Sequence, residues 1–250
     1  MRNRSASAAV ALGLLLAALS ARGGESETWT GTYPLAATGE LGVENVQGSI
    51  WVEGWDRSEV EVRAVLRSPA PFAAVEVLVE READALRFRT LHRPQDPDVN
   101  PEPGAQVDYH IRAPRQAELH LRTVTGNITV RDLEGAVEVR TLAGRVEQLG
   151  LAGPVRARVL NGDIRLEARQ LPEPPGGIDL ETVQGSVALL LPARPDAELR
   201  VSTLAGRIES PYLFATSDAV DSSSRVRLGR GRTRIRLRTV RGNIEIGERG

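Results

Sequence analysis

Seven times in 250 residues the chain writes nearly the same ten-residue phrase around a glycine. The copies are VENVQGSIWV from Val43, LRTVTGNITV from Leu121, VRTLAGRVEQ from Val139, ARVLNGDIRL from Ala157, LETVQGSVAL from Leu180, VSTLAGRIES from Val201 and LRTVRGNIEI from Leu237. Their glycines are Gly48, Gly126, Gly144, Gly162, Gly185, Gly206 and Gly242, separated by 78, 18, 18, 23, 21 and 36 residues. A period near 18 with small insertions is the mark of a stacked-repeat scaffold. A reaction centre, by contrast, is normally encoded once.

Each unit carries its own local instructions. Leu121 and Thr123 alternate with Arg122, and Ile128 and Val130 alternate with Thr129, as half-buried strands require. Between them the alternation breaks at Val124, and a glycine between polar neighbours supplies a tight corner at positive φ. A second turn follows at Asp132-Leu133-Glu134-Gly135. Eighteen residues bury too few apolar side chains to offset the entropy of ordering them, so units must stack and share their strand edges. The expectation is an all-β, parallel β-solenoid, a single-stranded β-helix of about 18-residue coils, over residues 105–247. An antiparallel sandwich of β-hairpins is the competing arrangement; a fixed offset between like strands favours the solenoid.

The remaining residues fill in the frame. Arg2 and Arg4 followed by the apolar run Ala8 to Leu19 and the small residues Ala18, Ser20 and Ala21 read as a signal peptide over 1–21. The run is shorter than the roughly 20 residues that span a bilayer, and no second long apolar run follows. The expected location is the periplasm or cell surface. Removal of that segment takes away two arginines and no acid, moving the formal charge from −1 to −3, so no global basic character points to nucleic acid. With no cysteine, neither disulfides nor a cysteine-linked lipid anchor is expected. Residues 25–104 read as an N-terminal β extension or cap, with a hairpin turning at Glu82 to Ala85 and a proline-rich loop from His92 to Gly104. Strand alternation resumes at Gln106 to Arg112.

The succession GELGVENVQGSIWVEGWDRSEVEV, VDYHIRAP, the TVxGxI units and the closing RVRLGRGRTRIRLRTVRGNIEI resembles the bacterial "putative adhesin" family, over roughly residues 38–247. That resemblance implies a β-solenoid domain of unknown function in an exported, envelope-associated protein. It carries no catalytic residues.

The residues themselves offer little chemistry. Neither GxGxxG nor a GxxxxGK[ST] loop surrounds the glycines, which are expected to be structural corners. His92, His110 and His120 lack metal-ligand spacing, and no cysteine supports a zinc site. Asn161-Gly162-Asp163 resembles only a fragment of a calcium-binding nonapeptide, so no metal or cofactor is expected. The outward position three after each glycine reads Thr129, Glu147, Arg165, Ala188, Glu209 and Glu245, a mixed row lacking the facing carboxylates of glycoside hydrolysis. The position four before each glycine reads Arg122, Arg140, Arg158, Glu181, Ser202 and Arg238. Arginines stacked on successive coils would form a basic strip for an anionic polysaccharide or another envelope component. Glu138 is placed to offset part of that charge. The insertions Gln170–Gly177, Pro192–Asp196 and Pro211–Arg225 form a second candidate surface, with Tyr212 as its contact residue and Phe214 expected to pack in the core. The functional expectation is a non-catalytic, adhesin-like binding or scaffold protein. A carbohydrate-active enzyme on a β-helix and a self-assembling structural protein are the alternatives.

Overall fold

Parallel pairing decides between the two architectures. In the computed structural model, which describes residues 13–21, 26–67, 73–93, 105–212 and 222–249, each repeat contributes one strand to each of two sheets. The Gly48 unit supplies β3 (Glu40–Glu44) and β4 (Ile50–Trp55), and the Gly126 unit β9 (Glu118–Thr125) and β10 (Ile128–Arg131). The next three supply β11 (Val137–Ala143) and β12 (Val146–Leu151), β13 (Val155–Asn161) and β14 (Ile164–Ala168), β15 (Gly177–Gln184) and β16 (Val187–Leu191). The last two supply β17 (Ala197–Ala205) with β18 (Ile208–Glu209), and β20 (Thr233–Arg241) with β21 (Ile244–Glu248). Val137 pairs in parallel with Leu119 and with Val155, 18 residues to either side. All repeat-to-repeat pairings run the same way, which excludes the sandwich. No helix occurs among the described residues.

The stacking order departs from chain order at one end. The first sheet runs β3-β9-β11-β13-β15-β20-β17, so the final repeat lies inside the Gly206 repeat. The next described strand after β18, β19 (Ser222–Leu228), lies antiparallel on the outside of β17, and the chain turns at Gly229–Gly231. From there β20 slots between β15 and β17. Simple sequential coiling therefore fails here. The 36-residue gap is spent on a strand that covers the open edge, a need that all unfinished sheets share.

Register converts the repeated letters into columns. Positions seven and five before each glycine, such as Leu119 and Leu121, Val137 and Val139, Leu199 and Val201, are buried between the sheets, as are Ile128, Val146, Ile164, Val187 and Ile244 two after it. The threonine three before the glycine is buried too. Its hydroxyl donates to the glycine carbonyl of the adjacent coil, from Thr182 to Gly162 at 2.9 Å, Thr239 to Gly185 at 2.9 Å and Thr203 to Gly242 at 3.0 Å. A β-branched residue with a short donor thus satisfies the corner without leaving the core. The residue after the glycine completes the corner: Asn127 accepts from the Arg145 N–H and Asp163 from the Ser186 N–H, both at 2.9 Å.

One rung breaks the apolar column. Gln148 is fully buried between Val130 and Leu166, and neither its Oε1 nor its Nε2 has a hydrogen-bond partner in the structure. Burying an unpartnered amide costs about 1–3 kcal/mol. Gln148→Leu is therefore expected to stabilise the fold by about 1–2 kcal/mol, read as a higher denaturant midpoint. A lower midpoint would mean that the amide has a partner after all.

The other end is a broad cap. β7 (Ala85–Arg93) pairs in parallel with β3 and β8 (Gln106–Pro114) with β4, adding one rung without the glycine motif. Around it lie β2 (Ser26–Pro34) and β5 (Glu59–Arg67) on one sheet, β6 (Ala73–Arg81) on the other. The turn at Glu82 to Ala85 joins β6 and β7 as an antiparallel hairpin, as its sequence predicts. Trp29, Tyr33 and Phe88 meet here with ring centroids 5.7–6.4 Å apart, so the scarce aromatics fill the wide end. Tyr109 is buried with its hydroxyl 2.7 Å from Thr90 Oγ1, and burial pushes its phenol pKa up. His92 and Arg93 belong to strand β7 and not to the loop; the rest of the proline-rich segment, 94–104, lies outside the described residues. Gly13–Ala21, part of the segment read as a signal, is an edge strand, β1, antiparallel to β6. An apolar run satisfies the open edge of AAVEVLVER wherever the two are present together. Residues 1–12 lie outside the described residues.

Candidate functional site: a two-row face on the first sheet

The arginine strip predicted from the repeat is assembled in register. Arg122 lies opposite Arg140, Arg140 opposite Arg158, Arg158 opposite Glu181 and Glu181 opposite Arg238. Ser202 comes after Arg238 because the last repeat is threaded inward. At the other end Glu44 precedes Arg122 and pairs with Arg89 at 3.1 Å. The strands bring these side chains about 4.8 Å apart, and acids relieve part of the repulsion. Glu138 accepts from Arg140 at 2.6 Å, as its position two residues earlier predicts. Glu181 stands 3.8 Å from Arg158 and 3.7 Å from Arg238.

A second row was not anticipated. The residue two before each glycine, read in the sequence only as a break of alternation, points outward. Val46, Val124, Leu142, Leu160, Val183 and Leu204 are 36–52% exposed, and Val240 is half-buried. The reason is local: Thr123 and Thr141 pair, then Thr125 and Ala143 pair, and the residue between them is turned out at the corner. Repetition makes this an aliphatic ridge, parallel to the guanidinium row. Between ridge and row runs a shallow groove of about 370 Å³, lined along three coils by Arg122, Arg140, Arg158, Leu142 and Leu160 with Glu181 at one end.

The remaining candidates separate. His120 sits on the same sheet, its ring nitrogens 3.3 Å from Glu118 and 3.5 Å from Glu138. His110 is on the other sheet against Trp51, ring centroids 6.0 Å apart. The row three after each glycine also faces out from the second sheet, and threading sets Glu245 beside Glu209. The loops at Gln170–Gly176 and Pro192–Asp196 come together around a hollow with Arg232 and Thr233. Tyr212 does not join them as an exposed contact: it packs against the core, its hydroxyl oxygen buried without a partner, and burial raises its pKa. Phe214 lies outside the described residues. Near the β17–β19 edge, hydrogen bonding from Arg200 and then Arg225 holds the Glu198 carboxyl below the usual range. The seven glycines serve the corners, with Gly48, Gly126, Gly144, Gly162, Gly185 and Gly242 at φ of 118–152°; none of them lines the groove.

Two mostly parallel sheets that repeat one outward pattern rung after rung define an all-β repeat protein. The chain belongs to the Toastrack DUF4097 family, a domain of unknown function, which it matches over residues 100–247. It is similar in structure to a "putative cell adhesion protein" from Clostridium sporogenes, with 11% identity, a TM-score of 0.48 and coverage of 89% of this chain and 100% of that one. A "putative adhesin" from Bacteroides fragilis has 11% identity, a TM-score of 0.32 and coverage of 89% and 97%. No curated protein matches the chain.

Proposed function

We propose that the protein is an exported, non-catalytic binding protein of the cell envelope, with an adhesin-like role, built as a single-stranded β-helix of about 18-residue coils. The observation that carries this reading is the in-register row Arg122, Arg140 and Arg158, a linear array suited to a repeating anionic partner such as a polysaccharide. Several weak contacts at fixed spacing add through effective concentration. The chemistry at hand supports binding over hydrolysis. Among the described residues that line the groove, Glu181 is the one carboxylate. Glu209 and Glu245 stand side by side on one sheet face, whereas glycoside hydrolysis wants carboxylates on opposite sides of the bond. The basic start and short apolar run over 1–21 support export.

Replacing Arg122, Arg140 and Arg158 together by Gln is expected to reduce retention on immobilised dextran sulfate about tenfold or more, with an unchanged melting temperature. Unaltered retention would remove the row from the binding surface.

A further inference from the structure

The guanidinium row accounts for half of the face; the aliphatic ridge beside it has no role in the fold that would require exposure. Seven rungs at about 4.8 Å extend the ridge over roughly 30 Å, and contiguous exposed apolar surface of that kind marks a contact site. Basic residues stand on both sides. Arg122, Arg140, Arg158 and Arg238 lie on one, and Arg145, Arg207 and Arg241 follow ridge positions within three residues on the other. Asp163, 3.6 Å from Arg145, offsets part of the charge on one side, as Glu138 and Glu181 do in the row itself.

We propose that this edge docks on an anionic lipid bilayer, the aliphatic ridge entering the headgroup region and the arginines meeting the phosphates. The proposal rests on the reading of the arginine row as a binding surface and puts an anionic lipid surface in place of the polysaccharide as its partner. Charge complementarity selects an anionic occupant and argues against a second copy. A two-fold contact centred on Leu160 would set Arg158 against its own copy and Arg122 against Arg238, offset in part by Arg140 against Glu181. A polysaccharide answers the arginines and leaves the aliphatics in water. An extended peptide repeats its same-face side chains at roughly 6.8 Å, out of step with the rungs. A bilayer offers anionic headgroups beside apolar depth and imposes no register.

The test uses vesicles of phosphatidylcholine alone or mixed with phosphatidylglycerol, with dextran sulfate as an anionic polymer lacking acyl chains. The wild-type protein is expected to sediment with the mixed vesicles only. Leu142→Ser with Leu160→Ser is expected to lower that binding about tenfold while leaving dextran sulfate retention intact; the arginine-to-Gln triple variant loses both. Because the chain has no cysteine, Leu160→Cys carrying an environment-sensitive fluorophore gives a second readout, a blue shift on mixed vesicles. Vesicle binding unchanged in the serine variant, or no blue shift, overturns the bilayer proposal and leaves the binding reading standing. Retention on dextran sulfate without vesicle binding does the same. Binding to neither overturns both.

Discussion

Gly144→Ala is expected to destabilise the fold by about 4 kcal/mol or more, seen as a melting temperature lower by on the order of 10 °C. Gly144 has φ near 147°, a conformation that side chains rarely adopt, and its neighbour in the stack is another glycine. A Cβ there would collide with the Gly126 carbonyl oxygen, which belongs to backbone already held by the next coil. Moving it would disturb Gly48 in turn, because the same contact recurs from Gly126 to Gly48. Gly231→Ala is the control. Its φ is 72°, but the atoms nearest a Cβ belong to the flexible Arg227 side chain. Only the left-handed backbone cost of about 1–2 kcal/mol applies there. Equal losses at the two positions would show that the corner column does not transmit strain.

Deleting residues 233–249 should abolish cooperative folding. That segment buries Ile235, Leu237, Ile244 and Ile246, worth about 2 kcal/mol each or roughly 8 kcal/mol together. Domains of this size are stable by only about 5–15 kcal/mol. The deletion also separates β17 and β19 from the stack, since β17 pairs with β20 and β19 on its two sides and with no earlier repeat. The expected result is a chain without a sharp thermal transition and cleaved rapidly by protease from Pro192 onward, beyond the last strand still paired to an earlier repeat. A truncated chain that melts like the full protein would refute the observed strand order.

Much of this molecule was legible in its letters. Strand, corner and strand repeat with so little change that register, core columns and the arginine row follow from the alignment on glycine. The buried threonines were legible as inward positions, but their donation to the neighbouring glycine carbonyl needs two coils in contact. The aliphatic ridge was written plainly at Val124, Leu142 and Leu160 and missed. An aliphatic letter ordinarily signals burial, and only the extended corner turns these outward. The inward placement of β20 was not legible at all. Rungs with interchangeable pairing edges fit in any order, so no single residue in LRTVRGNIEI specifies its neighbours. Tyr212 misled for a related reason: rarity of aromatics suggested display, whereas the ring is partly buried against the core.

Threading the final rung inward has a consequence for how the molecule is made. A simple helix of coils can settle rung by rung as the chain emerges, each new turn resting on the last. Here the Gly206 rung has no seat until Thr233–Glu248 has arrived, so assembly waits for late-synthesised residues and then closes in one concerted step.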